Sequence, residues 1–297
     1  MPFPIIEISA DSITGDEQLG SKPKFWFVRN EKRWLFKERR PNTGEDWAEK
    51  VASDIARHIE VDAAEVELAA CADRIGCASK MFVEKGENLL HGNEILAGQI
   101  TGYDRNKKQH HCDHTLSNIV SAVQQLLGNP TIHERVLQVL ASYMVLDALI
   151  GNTDRHHENW GFLMRYERKS PRDSIARLRV APSFDHASSL GRELLDERRS
   201  RILRESGIGR YASSGCGGIY LASTDKRGAN PIKLIEFGVQ HYPQYFRPVL
   251  QRLKTIPVGP VIAFVDEIPA ERISETGRTF VKALLEYTYP TLLGLAL

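Results

Sequence analysis

The sequence predicts an α+β chain in two lobes, a small β-rich N-terminal lobe followed by a larger helical one, and three observations carry that prediction. The first third concentrates short aromatic runs between polar turns. Beyond about residue 115, apolar residues recur at helical spacing. The chain is also 297 residues long and 42% hydrophobic, enough to bury a sizeable core and to fill two lobes. The boundary is placed near residue 85, giving an N-terminal lobe of residues 1–85 and a C-terminal lobe of residues 86–297.

Phe25–Val28 and Trp34–Lys37 flank the polar Arg29–Arg33, which predicts a hairpin whose second strand ends at Lys37. A helix follows from Glu45 to about Ile59, because Trp47, Val51, Ile55 and Ile59 return every fourth residue, with Asn42 or Thr43 as its N-cap. Residues 65–83 read as two strands around a turn at Asp73–Cys77, and Glu84–Asn88 as the crossover between lobes. Thr115–Leu127 and Ile132–Ile150 read as helices, the second buried because it is apolar on nearly every side from Val136 onward. Arg192–Gly218 mixes charge with glycine and reads as a mobile surface segment, while Pro231–Leu253 and Ala270–Leu297 read as further helices.

Charge and cysteine usage narrow the class. The 39 basic and 38 acidic residues nearly cancel, so no global field draws the chain to nucleic acid or to an acidic membrane. Cys71, Cys77, Cys112 and Cys216 show neither metal spacing nor a dense framework and read as free thiols of a reducing compartment. Met1–Glu7 lacks the pattern of a secretory signal, and the longest apolar run is interrupted by Gln138, Ser142 and Asp147, so a soluble cytoplasmic protein is expected.

The chemistry concentrates at the end of the predicted buried helix. Asp154 and Asn159 stand five residues apart in Asn152-Thr-Asp-Arg-His-His-Glu-Asn159, and Asp185 follows after a segment long enough to form a hairpin and return. A carboxylate that orients an attacking hydroxyl, and a carboxamide and a second carboxylate that hold a divalent ion against phosphates, are what phosphoryl transfer needs. Asp154 is therefore the expected base, and Asn159 and Asp185 the expected Mg²⁺ ligands, oxygen donors suited to a hard cation. Asn152 is expected to brace the loop by hydrogen-bonding its backbone.

Asp-Arg-His-x-x-Asn followed by Phe184-Asp185 resembles the catalytic and metal-binding loops of HipA-like kinases and, more distantly, of phosphatidylinositol kinases. The wider wording, Leu149 to Leu163 with Ser188-Ser189 after the second aspartate, is closer to the HipA-like group. The resemblance runs from about residue 20 to 290 and departs at the front, where a HipA toxin carries an additional N-terminal subdomain. It implies a bilobal protein-kinase-like fold, ATP and Mg²⁺ as cofactors, and transfer of the γ-phosphoryl to a serine or threonine of a protein substrate. An antitoxin-like partner protein is implied too, with no direct nucleic-acid or membrane contact. A lipid or small-molecule kinase and a silent kinase-fold binding protein are the alternatives.

In the small lobe, Lys37 is the expected partner of the nucleotide phosphates, with Arg39 and Arg40 as competitors. Glu49 is favoured over Glu45 as the helix glutamate that fixes it, because Glu49 matches the family position. Gly15–Lys24 lies where a phosphate-covering loop belongs, and Ser21 and Lys24 offer a hydroxyl and a charge there. Relatives autophosphorylate a serine in this loop, which makes Ser21 a regulatory candidate. Met81, Phe82 and Val83 are expected on the adenine side. Gln109–His114 lacks a firm zinc spacing and reads as solvated loop histidines, whereas Arg155, His156 and His186 are expected to hold the catalytic loop in shape.

Overall fold

Alternating burial builds the first sheet. The computed structural model describes every residue except 17–22, 108–110, 171–172 and 297, and only the backbone at 169, 170, 173 and 174. Strands β3 (Lys24–Arg29) and β4 (Lys32–Glu38) bury Phe25, Phe27, Trp34 and Phe36 on one face, the period of a half-buried strand. They form the expected hairpin, with Phe25 opposite Phe36 and Phe27 opposite Trp34. Its turn is tighter than Arg29–Arg33: Asn30 and Glu31 adopt φ of 49° and 58°, the two-residue conformation whose twist suits a hairpin.

The sheet has the order β1-β5-β6-β4-β3-β2 among the described residues. Strand β1 (Ile5–Glu7) runs parallel to β5 (Val66–Cys71), and β2 (Ile13–Asp16) pairs with β3. Neither was expected, since a three-residue strand recruited by a partner some sixty residues away leaves no periodicity to read. Strand β6 (Arg74–Lys80) returns antiparallel to β5, with Arg74 already opposite Cys71, so the turn sits at Ala72-Asp73 and not across Asp73–Cys77.

Helix α1 (Glu45–His58) packs on this sheet and buries every residue from Glu45 to Ala56. Neither Asn42 nor Thr43 caps it; the N-cap is Gly44, where a side chain would collide with the Trp47 ring, and Glu45 and Asp46 supply negative charge to the first turn. The expected crossover at Glu84–Asn88 contains the start of β7 (Glu87–His91), which joins β8 (Gly161–Ser170) and β9 (Asp173–Val180) in a second sheet.

Helices α2 (Gly92–Gln99), α3 (Leu116–Leu127) and α4 (Pro130–Ile150) follow. Asn129 caps α4 by accepting from the amides of Thr131 and Ile132, with Pro130 in the first turn, so the helix begins two residues before the expected Ile132. Arg192–Gly218 is not a mobile segment. It holds α5 (Asp196–Arg204) and α6 (Ile208–Ser214), anchored by buried Leu194 and Arg199 against α10 (Glu275–Gly294). Helices α7 (Pro231–His241), α8 (Pro243–Lys254) and α9 (Val258–Ala263) complete the chain. A single apolar cluster links α1 to α4, α7, α8 and α10, so the largest core crosses from the β-rich part into the helical part. No helix among the described residues is long and apolar enough to cross a membrane.

Candidate functional site

The site is built on the end of α4. Gly151 terminates the helix at φ 67°, a left-handed conformation that glycine takes without strain, and turns the chain into the loop of Asn152 to Asn159. Asp147, buried in the last turn, accepts from both Nε (2.7 Å) and Nη2 (2.8 Å) of Arg155 and from Nδ2 of Asn152 (2.7 Å). Arg155 also donates to the carbonyls of Asn159 (2.6 Å) and Phe184 (3.3 Å) and to Ser183 Oγ (3.0 Å). One guanidinium thus ties α4, the loop and the segment after β9 together. Because it is paired bidentately and fully hydrogen-bonded, its burial is compensated. Asn152 Oδ1 accepts from the amide of Asp154 (3.1 Å), the bracing expected of it.

On one side of the loop lies a cleft of about 730 Å³, lined by Lys24, Lys37, Met81, Phe82, Val83, Asn159 and Asp185 among others. Lys37 Nζ lies 2.7 Å from Glu49 Oε1 and 3.1 Å from Asp185 Oδ1. Burial alone would lower the lysine pKa, but the carboxylates of Asp185 and Glu49 outweigh it and hold the ammonium charged. Asp185 sits at φ 62°, a sparsely populated conformation that costs on the order of 1 kcal/mol for a non-glycine residue and turns its carboxylate toward the cleft. Phe184 stacks on Phe82 at 5.5 Å and meets His91 edge-on. Asn159 Nδ2 donates to the carbonyl of Asp154 (2.7 Å), which commits the amide nitrogen and leaves Oδ1 as the donor for a cation. Oxygens of Asn159 and Asp185 on one cleft fit a hard divalent ion.

Asp154 faces the other way. It lines a separate cavity of about 460 Å³ with Thr153, His156, Cys216, Gly218, Tyr220 and Arg227, and His156 borders both spaces. Burial raises the Asp154 pKa, and the Asp185 charge adds to that rise against the opposing pull of His156. Ser188 Oγ donates to its Oδ2 at 3.4 Å. Gly218 is needed here, since a Cβ would come within 2.7 Å of the Arg155 carbonyl.

His111 and His114 are buried, contrary to the solvated loop expected. His114 donates from Nδ1 to the Gly218 carbonyl (2.7 Å) and accepts at Nε2 from the Trp160 indole (3.1 Å); His157 Nδ1 meets the Tyr103 hydroxyl at 2.8 Å. Burial, reinforced by the neighbouring imidazoles, lowers the His114 pKa to about 3 and the His157 pKa to about 4. His186 is buried against Ser183 Oγ (2.7 Å). Among the described residues no group of three His, Cys, Asp or Glu side chains is arranged to hold a metal.

Lys37, Glu49, Asn159, Asp185, Phe82, Val83 and Lys24 therefore converge on the 730 Å³ cleft or its wall, with Asp154 on the adjoining face. Ser21 lies outside the described residues. The competitors go elsewhere: Glu45 pairs with Arg40 (2.9 Å) and Arg192 (2.5 Å), and Arg39 pairs with Asp46 (3.5 Å). Asp147, Ser188 and Arg192 were assigned no role in the site from the sequence. Asp147 left a signal as a carboxylate within an otherwise apolar helix, and Ser188 only as part of the family wording after Asp185.

Over the full length, the fold is similar to that of the proinflammatory kinase CtkA of Helicobacter pylori, at a TM-score of 0.80 and 20% identity over 99% of both chains. It is also similar to HipA of Shewanella oneidensis, solved with HipB and operator DNA, at a TM-score of 0.56 and 11% identity; the match covers 95% of this chain and 65% of HipA. No curated protein matches by sequence. The HipA-like C-terminal domain matches residues 18–210, which contain the α4 loop, Lys37, Glu49 and Asp185. The chain belongs to the HipA-like family, with the α+β kinase fold of these neighbours.

Proposed function

We propose that the protein is an ATP- and Mg²⁺-dependent serine/threonine kinase of the HipA-like type. The observation that carries this reading is the division of labour about one loop: Lys37, Glu49, Asn159 and Asp185 serve one cleft, and Asp154 opens on a second cavity across it. ATP would occupy the larger cleft, with Met81, Phe82 and Val83 on the adenine side and Lys37 toward the phosphates. Glu49 holds Lys37 against the phosphates. Asn159 and Asp185 hold Mg²⁺, which when bound neutralises charge on the transferring phosphoryl. The acceptor hydroxyl enters from the smaller cavity, and Asp154 orients it and receives its proton. Arg155 keeps Asp154 and Asn159 in register, so most of the rate comes from positioning and fixed charge.

A protein acceptor is favoured over a lipid because the 39 basic and 38 acidic residues nearly cancel, leaving no global field toward an acidic membrane. The neighbour solved with HipB makes a small antitoxin-like protein the partner to look for. The test is incubation with γ-labelled ATP and Mg²⁺, followed by mass spectrometry of the protein and of a cell extract. Phosphoserine or phosphothreonine on protein is expected. Label confined to lipid or a small metabolite would select the other kinase reading, and nucleotide binding without turnover would select a silent scaffold.

A further inference from the structure

Arg192 stands between two charged elements that the reaction as described does not connect. Its Nη1 lies 2.5 Å from Glu45 Oε1, at the start of α1, and its Nη2 donates to Ser188 Oγ at 3.1 Å. Ser188 in turn donates to Asp154 Oδ2 at 3.4 Å, a long contact of the kind that tightens once ligands are bound. The chemistry of the chain has one direction. A guanidinium has no acceptor, so the Ser188 oxygen must accept from it and the single hydroxyl proton is left to point at Asp154. With Oδ2 satisfied, Oδ1 is the oxygen left to take a proton from an acceptor.

The main chain reinforces the link. The amide of Gly44, the N-cap of α1, donates to the Arg192 carbonyl (2.9 Å), and the amide of Thr153 donates to the Ser188 carbonyl (3.3 Å). Glu45 and Glu49 are four residues apart on α1, hence on one face. One reaches Asp185 through Lys37, and the other reaches Asp154 through Arg192 and Ser188.

We infer that Arg192 and Ser188 are positioning residues that orient Asp154 and make its orientation depend on the seating of α1. This rests on the kinase reading above. Under it, α1 bears on both sides of the site: a helix displaced from its groove releases Lys37 from Glu49 and also frees the Asp154 carboxylate to rotate.

The experiment measures ADP release and label transfer with MgATP, beside calorimetric ATP affinity, for wild type, Ser188→Ala, Ser188→Thr, Glu45→Gln and the double variant Glu45→Gln/Ser188→Ala. Removing the hydroxyl should lower kcat about tenfold or more while ATP affinity stays within about twofold, the scale of one lost orienting contact. Ser188→Thr keeps the hydroxyl and should restore most of the rate, which a merely structural role would not predict for a bulkier side chain. The double variant should be no slower than the slower single, because both cut one chain. Unchanged kcat in Ser188→Ala, failure of threonine to rescue, or additive losses in the double variant would each overturn the inference while leaving the kinase reading in place. Label recovered on Ser188 itself would also overturn it, by making that serine an acceptor. A wild-type protein that neither consumes ATP nor transfers phosphate overturns the kinase reading, and this inference with it.

Discussion

Lys37 and His114 are both nitrogen bases taken largely out of water, and they end in opposite charge states. Lys37 is 12% exposed and keeps its proton, because Glu49 and Asp185 stand 2.7 Å and 3.1 Å away. His114 is 1% exposed and loses its proton, because its neighbours are imidazoles, a carbonyl and an indole. Burial penalises charge in both places; what differs is whether a carboxylate is within reach. The ionic cluster keeps a charge beside the larger cleft, whereas His114 and His157 are held uncharged in the wall of the second cavity. Which of the two outcomes a buried nitrogen base reaches is a distinction that residue type alone does not make.

The strongest way to break the comparison is on the ionic side. Asp185→Asn should lower phosphoryl transfer by about 10³- to 10⁴-fold, several kcal/mol of lost charge stabilisation, with little change in melting temperature because Lys37 keeps Glu49. A variant with parental turnover would remove Asp185 from the metal site.

Asp154→Asn should lower transfer by about 10²- to 10³-fold with ATP affinity nearly unchanged, since shape is kept and the carboxylate is lost. Calorimetry beside a transfer assay separates the two effects. Parental transfer would make Asp154 a structural turn residue.

The histidine side predicts a pH effect on stability. The folded pKa of His114, about 3, lies below the 6.5 of an exposed imidazole, so the unfolded chain takes up the proton first. Its contribution is complete above that unfolded value and drains away as pH falls toward the folded one. At about pH 5 this amounts to a loss of ~2 kcal/mol from His114 alone. Denaturant titrations at neutral pH and near pH 5 would show it. His114→Asn should flatten the slope, and a slope that persists would place the titration on another group.

The smallest effect sharpens the ionic side. Arg40 is 49% exposed where it pairs with Glu45, so Arg40→Ala should cost under about 1 kcal/mol and leave turnover within about twofold. A large loss of turnover would show that Glu45 depends on Arg40 as well as on Arg192.

The amino-acid sequence by itself determined the features whose partners lie close along the chain. The hairpin at Phe25–Lys37, the apolar repeat of α1, the buried α4 and the spacing of Asp154 and Asn159 are all local, and the repeat of apolar residues or the reach of one loop is enough to read them. Tertiary structure decided the rest. Whether Glu45 or Glu49 meets Lys37 depends on how α1 lies in its groove, because both carboxylates share one helix face. Burial of His114 depends on Gly218 and Trp160, and that of His111 on Tyr103 and His157, which only the fold brings against them. Strand β1 exists because β5 offers it an edge, and α5 and α6 are fixed by α10. Arg192 and Ser188 meet Glu45 and Asp154 across 147 and 34 residues, respectively. The physical reason is the same throughout: a hydrogen bond or ion pair acts over a few ångströms in space, and only folding brings residues so far apart in sequence within that range.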